Sequence, residues 1–373
     1  MFRKVFRFWI VYGTRRTFIK VMGRLRKPID IRLFINPIYV LFPPKKEIGI
    51  IGAGQFAFAT ISYFILTSRY GRIKAVYDID KMNAESLGRA YKAKVYTNFS
   101  KLIKDVDIVY IASNHASHSS YSIEALNNNK VVYCEKPVSV DFKQLKNLHN
   151  VVKTKESKFY CGYNRPHSPI IKLVKEQYGE VLRSNPLTLS CYVRGHDIPA
   201  EHWYRNPGEG TRVCGNLGHW IDLFVSLIWE RIEQISLFKL VIVSSDDCIP
   251  DDNATLLITT NIGDLFSVTI SSRYEPFEGI DESINLQVDK LNLKIDDFRA
   301  AKINCDSNLR KFKFRHKNVG HKNAINQPFE QIQIRNYKEY FFSSYLTIAF
   351  AEMIKSSETK IEIQSNQIVE FFK

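Results

Sequence analysis

The stretch that most constrains this chain is Ile48-Gly49-Ile50-Ile51-Gly52-Ala53-Gly54-Gln55-Phe56-Ala57. Four residues of apolar strand run into Gly-x-Gly-x-x-Ala, and Phe58, Ile61, Phe64 and Ile65 then recur with helical spacing. Gly52 lets the backbone turn sharply off the strand, Gly54 leaves room for a pyrophosphate against the main chain, and Ala57 lets the helix lie close on a sheet. Gln55 and Phe56 complete the loop, and the N–H groups of the new helix end face the phosphates. A second strand, Ile73–Tyr77, ends in Asp78, 24 residues past Gly54 and near the ~20 expected of a carboxylate that holds an adenosine ribose. Such an acid accepts from the ribose hydroxyls and repels a 2′-phosphate, so NAD is expected over NADP, with Lys81 placed to offset the repulsion.

From residue 47 to about 163 strand and helix alternate. Helix Ala84–Tyr91 is followed by a short strand near Val95, strand Asp107–Ala112 and helix Tyr121–Asn128. Strand Val131–Glu135, a helix opened by Asp141 with Gln144 as its capping partner, and strand Phe159–Gly162 complete the series. This order predicts a parallel, doubly wound α/β sheet, which binds ligands beyond the carboxyl ends of its strands. Residues just past strands are therefore the candidates: Asp78, then Ser113-Asn114-His115, Glu135-Lys136-Pro137 and Tyr163-Asn164-Arg165. After about 166 come helix Pro169–Tyr178 and the segments Leu187–Val193, Gln234–Val243, Ala254–Thr260, Phe266–Ser272, Ile284–Val288 and Leu291–Ile295. They read as a large open sheet, mostly antiparallel, with one face covered; Trp220–Ile228 reads as a helix on that sheet and Tyr337–Ile354 as another amphipathic helix near the end. The expected domains are 1–46, 47–165 and 166–373.

Charge is uneven. Residues 1–46 hold twelve Lys/Arg against one acid, Asp30, which is +11 of the total +15. Val11, Phe18, Met22 and Leu25 fall on one helical face there, with Arg15, Arg16, Lys20 and Arg24 around them. Such a basic amphipathic helix lies on an anionic membrane surface or packs on the body or a sister subunit, and the sequence leaves both open. Ile35–Pro44 reads as an extended connector. Arginines interrupt every stretch long enough for a leader's apolar core, and no run reaches the ~18–20 residues of a spanning helix. No nucleic-acid motif accompanies the charge. The six cysteines are scattered without metal-like spacing, which suits a reduced cytoplasm.

Taken in order, Gly52-Ala-Gly54 with Asp78, Ile111-Ala-Ser-Asn-His-Ala-Ser-His118, Glu135-Lys136-Pro137, Gly162-Tyr-Asn-Arg165 and His219-Trp-Ile-Asp222 resemble the Gfo/Idh/MocA oxidoreductases over about residues 47–355. The resemblance implies a Rossmann domain followed by a larger α/β domain, and NAD(P)-dependent oxidation or reduction at a sugar or cyclitol carbon. It implies Lys136 and His219 as the catalytic pair. For cofactor contacts it adds Ser113, Asn114, His118, Glu135 and Lys136 to the glycine loop. Many members carry an aspartate four residues before the histidine, where this chain has Gly215. A branch found beside polysaccharide-synthesis enzymes looks closer, because the chain reads Pro199-Ala-Glu-His202-Trp203, Gly208-Glu-Gly210 and Gly215-Asn216-Leu-Gly-His219. Asn216 replaces that pattern's glutamate; an amide orients a hydroxyl but is no base. Asn164, Arg165, His202, Trp203, Asn216 and His219 are the implied substrate shell. The expected substrate is a sugar or nucleotide sugar and the expected assembly a dimer or tetramer. An NAD-dependent glycosidase of the same fold and a cofactor-binding scaffold without turnover are the alternatives.

Overall fold

Strands β1 (Glu47–Ile51), β2 (Arg72–Tyr77), β3 (Lys94–Val95), β4 (Ile108–Ile111), β5 (Val131–Cys134) and β6 (Phe159–Cys161) form a parallel sheet in the order β3-β2-β1-β4-β5-β6. These come from a computed structural model, which describes residues 2–26, 29–154, 158–274, 279–329 and 335–373. Helices on both faces leave the central strands no wet side: Ile48, Ile50, Val109, Tyr110, Val132 and Tyr133 are all buried. The strand order reverses between β1 and β4, the position at which doubly wound sheets open a ligand crevice. The doubly wound expectation is met, with strand bounds shifted by a residue or two.

The described residues divide into two compact units, one of Met1–Ser139, Lys143–Gly162 and His321–Tyr337, the other of Val140–Phe142, Tyr163–Gly320 and Lys338–Lys373. This division differs from the expected one at several places, by only a few residues at 140–142 and 163–165 and by whole segments at two others. Residues 321–337 return to the first unit, where Ile325 joins the core and its carbonyl accepts from the buried Tyr110 hydroxyl at 2.7 Å. A buried phenol needs such a partner, and no neighbour in sequence offers one.

The first 46 residues also belong to this unit. Helices α1 (Phe2–Tyr12) and α2 (Thr14–Leu25) meet at Gly13, whose φ of 82° breaks what periodicity presents as one helix. Ile19, Met22 and Gly23 turn inward, whereas Leu25 is 48% exposed. Of the two readings left open, packing on the body holds for α2, since Ile19 and Met22 share a core with Phe58, Ile65 and Tyr91. Arg16 is sandwiched between the rings of Tyr12 (4.7 Å) and Phe64 (5.0 Å), where burial lowers its pKa. The supposed extended connector is instead two short helices, Arg32–Ile35 and Pro37–Leu41. Asn36 caps the second through the Tyr39 N–H and donates to the Leu66 carbonyl at 2.9 Å, and Tyr39 Oη accepts from the Ile73 N–H at 3.1 Å. Those tertiary bonds make a prolyl segment helical.

In the second unit β7 (Leu187–Arg194), β8 (Leu237–Ser244), β9 (Ala254–Thr260), β10 (Leu265–Ser271), β11 (Asp281–Val288), β12 (Leu291–Asp296), β13 (Ala300–Cys305), β14 (Asn308–Lys313) and β15 (Lys360–Gln364) form a nine-stranded sheet among the described residues. The order is β14-β13-β12-β11-β7-β10-β9-β8-β15, antiparallel except for the β7–β10 pair. Leu187, Leu189, Cys191 and Val193 point into the core with helices Gly218–Ile228 and Tyr337–Ser356, while Thr188, Ser190, Tyr192 and Arg194 face out. Strands β13, β14 and β15 are additions to the expected set. Their outward positions are mostly polar, among them Lys302, Asn304, Lys311, Lys313, Glu362 and Gln364, so little apolar signal marks them, and such residues suit a sheet edge.

Candidate functional site

In the first unit the site grows out of the β1 turn. Gly52 has φ of +91°, and a Cβ there would stand 2.4 Å from the Ala112 and Ser113 backbone, so glycine is required twice over. Its N–H donates to the Tyr77 carbonyl at 2.9 Å, which ties the end of β1 to the end of β2. Around Gly54 the opposite holds: a Cβ would meet nothing within 4 Å. That open space beside the first helical residues is where a pyrophosphate fits. The helix begins with a wide turn, Ala57–Ile61, before Ser62–Ser68, and Ala57 is fully buried against the sheet. Gln55 is turned from the loop and donates to the Lys20 carbonyl at 2.9 Å, and Phe56 lies 5.6 Å from the His321 ring.

Asp78 stands where expected and braces the loop. Oδ2 accepts from the Ala53 N–H at 2.5 Å and Oδ1 from the Asp80 N–H at 2.8 Å. A carboxylate has about four acceptor positions, so both oxygens keep capacity for ribose hydroxyls. Beyond β4, Ser113 Oγ lies 2.7 Å from Ser117 Oγ, which in turn bonds Asn114 Oδ1 at 2.6 Å. His118 is buried, with Nδ1 2.7 Å from the Pro137 carbonyl oxygen and Nε2 3.1 Å from that of Ser113. It thus clamps the loops after β4 and β5 together.

Glu135 is an interior residue. Its carboxyl accepts from the Tyr133 hydroxyl at 2.9 Å, and a side chain at position 162 would reach within 2.6 Å of it, which is why Gly162 follows β6. Burial pushes the carboxyl up to about 7, against the opposing pull of the adjacent Lys136 ammonium. Lys136 is half-buried and precedes a cis Lys136–Pro137 bond.

In the second unit two expected substrate residues have other work. Arg165 is buried, forked onto Glu282 (3.1 and 3.2 Å) and stacked on Trp220 (4.6 Å), whose indole N–H donates to the same carboxylate at 2.8 Å. Asn164 Nδ2 donates to the Val319 carbonyl at 2.6 Å, and its Oδ1 accepts from Arg165 at 3.0 Å. Both are internal ties rather than groups held out to a ligand. A buried guanidinium needs its carboxylate, and Glu282, 117 residues away, was not legible as that partner.

His202 and the 38%-exposed Trp203 stack at 5.7 Å, and burial with the Arg205 charge lowers the His202 pKa. Cys214 to Asn216 lie in the wide turn Val213–Leu217, which leads into helix Gly218–Ile228. Asn216 Oδ1 is buried without a hydrogen-bond donor among the described residues. His219 is 8% exposed, with its ring edge-on to Tyr163 at 6.1 Å. The segment is fastened by residues that sequence reasoning missed. Arg205 and Arg212 pair with Asp252 at 2.7 and 2.8 Å, and the Arg212 N–H donates to Asp251 at 2.6 Å. No spacing rule links residues forty positions apart.

Residues 46–163 match the sequence profile of GFO_IDH_MocA, described as an oxidoreductase family with an NAD-binding Rossmann fold. The chain is 24% identical over 191 residues to glucose-6-phosphate 3-dehydrogenase of Bacillus subtilis, covering 51% of this chain and 54% of that protein. It is 32% identical over 157 residues to inositol 2-dehydrogenase of Serratia proteamaculans, covering 41% and 47%. The chain thus spans about half the length of the curated relatives it matches. Among solved structures, levoglucosan dehydrogenase with NADH and levoglucosan superposes with a TM-score of 0.69 at 15% identity, covering 85% of this chain and 99% of that one. GenD2 of gentamicin A biosynthesis, in complex with NAD, gives 0.71 at 15%, covering 86% and 97%. These superpositions establish the fold.

Proposed function

We propose that this chain, a relative of the Gfo/Idh/MocA oxidoreductases, is an NAD(P)-dependent dehydrogenase of a sugar or cyclitol hydroxyl. The observation that carries the reading is the β1 loop, rigid at Gly52, open at Gly54 and braced by Asp78 at the switch point of the sheet. The backbone of Gly54, Gln55, Phe56 and Ala57 would hold the pyrophosphate, Asp78 the adenosine ribose, and Ser113 and Asn114 the far side of the crevice. When bound there, a nicotinamide dinucleotide supplies a hydride acceptor or donor. Lys136 is assigned the proton of the substrate hydroxyl, and His219, on the second unit, a hydrogen bond to substrate and a share in moving that proton. Clamped between two loops, His118 positions the approach to Lys136. Asn216, with its unsatisfied oxygen, is assigned a substrate hydroxyl or water.

The finer substrate is a nucleotide sugar of cell-surface polysaccharide assembly, a reading that rests on the Pro199–His219 pattern. The cellular site is the cytoplasm, with the protein at the inner face of the membrane. In favour of that site, Phe6, Trp9 and Ile10 are 58%, 45% and 47% exposed beside the exposed Arg3, Arg7 and Arg15, and basic residues contribute ~1 kcal/mol each near an anionic leaflet. Among the described residues no helix is long and apolar enough to cross a membrane. Self-assembly through the outward face of the nine-stranded sheet completes the reading.

The test is a panel of sugars and sugar nucleotides with NAD⁺ or NADP⁺, following reduced cofactor. Lys136→Ala and His219→Ala each lower turnover by roughly 10²–10⁴-fold while cofactor affinity is kept. Undiminished turnover in both variants overturns the assignment. Sedimentation with anionic vesicles at low salt tests the membrane site, and its absence removes that part.

A further inference from the structure

The N-terminal helices do more than cover the first unit. Helix α2 lies on the opening turn of the helix that follows the glycine loop: a Cβ on Gly23 would come within 2.8 Å of Phe58 and 2.9 Å of Gln55, and Gln55 donates to Lys20. The helix ends at Arg26, in a left-handed conformation with φ of 49°. From there the guanidinium reaches back to the loop, donating to the Ala53 carbonyl at 3.0 Å and lying 5.7 Å from the Phe58 ring.

Arg26 and Asp78 therefore bracket one peptide residue. The arginine holds the carbonyl of Ala53 and the aspartate holds its N–H at 2.5 Å. The charges do not pair: neither makes an ion pair among the described residues. Among the described residues one of the five N–H donors of Arg26 is used, so most of the fork has no acceptor there. A half-buried cation fixed by one carbonyl is a costly way to satisfy that carbonyl, and a charged ligand would return the cost. Lys81, which the sequence offered for the same task, is 82% exposed and 3.8 Å from Glu85.

We propose that Arg26 is a specificity residue of the cofactor site, supplied by the N-terminal segment, which receives the 2′-phosphate of NADP(H) beside Asp78. Asp78 alone would exclude that phosphate. With a guanidinium on the other side of Ala53 the exclusion is offset, and the chain accepts both dinucleotides. The charges of Asp78 and Asp80 work in the same sense, opposing the lowering of the Arg26 pKa by burial. Asp80 itself is committed to the Met82 N–H at 2.8 Å as a helix cap. This inference rests on the dinucleotide reading above.

The test is direct binding of NAD⁺ and NADP⁺ to the full chain by calorimetry, with no substrate present. The parent should bind the two within about tenfold of each other. Arg26→Gln should lose NADP⁺ affinity by roughly 10–100-fold, the worth of a charged hydrogen bond, and change NAD⁺ affinity less than about twofold. Arg26→Lys, which keeps the charge, should retain much of the NADP⁺ binding. Asp78→Asn should move the ratio the other way. Equal losses for both cofactors, or an unchanged ratio, would reduce Arg26 to a structural tie and overturn the proposal. A parent that binds neither dinucleotide would overturn the cofactor reading itself.

Discussion

The glycine loop of the first unit and the His202–His219 segment of the second are both candidate sites, yet they are held by different means. The loop's supports are its own strand and the strand ends on either side of it: the Tyr77 carbonyl, the Asp78 carboxylate and the Ala112–Ser113 backbone. The segment has no such frame. It runs through short turns and is pinned by Arg205 and Arg212 to Asp251 and Asp252. A parallel sheet aligns strand ends and so positions a loop by topology, whereas a long excursion between strands needs ion pairs to stop it moving. One site is therefore sensitive to backbone geometry and the other to buried charge.

The largest expected effect tests the second half of that contrast. Arg212→Ala takes from buried Asp252 one of its two arginine partners, keeps the main-chain N–H bond to Asp251, and should cost up to about 3–5 kcal/mol in urea unfolding of the second unit, the usual result of breaking a buried pair. Dinucleotide affinity should be untouched. A loss under about 1 kcal/mol, or an equal loss of cofactor binding, would break the comparison.

Next is Glu135, a buried carboxyl of the first site whose pKa burial raises, as burial raises that of Asp251 in the second. Its folded pKa, about 7, lies above the ordinary 4.5. A raised folded pKa means the stabilisation is fully present below pH 4.5 and is lost as pH rises through 7. Glu135→Gln keeps an acceptor for Tyr133 and removes the titration. The parent should therefore lose up to about 3 kcal/mol relative to the variant between pH 4.5 and 8. Parallel stability profiles for the two proteins would show that this carboxyl is not the source.

The smallest effects separate two glycines in one motif. Gly52→Ala meets both a positive φ and the Ala112–Ser113 backbone, so a loss of at least about 1–3 kcal/mol is expected by thermal unfolding. Gly54→Ala meets open space, so stability should hardly change, while dinucleotide affinity falls as the methyl fills the pyrophosphate position. If the two variants lose stability equally, the loop is not the rigid-then-open structure described.

These contrasts explain what was legible. Strand, Gly-x-Gly-x-x-Ala, helix and the acid ending β2 all appear where expected, because each element is specified by residues within a few positions of itself. The β7–β12 segments were legible for the same reason, through alternation along each strand. The internal ties of Asn164 and Arg165 were not legible because a short motif names residue types but not their partners; Glu282 and Val319 lie 117 and 155 residues away. Glu135 stands at a strand end, where sequence suggests a cofactor contact, yet the absent side chain of Gly162 lets it turn inward.

The N-terminal segment marks the limit most sharply. Its charge and amphipathic character belong to the sequence alone, and they suffice to distinguish it from the rest of the chain. Which face it buries was decided by the surface of the β1–helix unit, which offers Phe58 and Gln55 as the place to dock. Local periodicity specifies that a helix has an apolar side, because neighbours three and four positions apart share a face. The partner for that side comes from residues distant in sequence, and so does the placing of Arg26 beside Asp78. Only the folded chain brings those two charges to the same residue, Ala53.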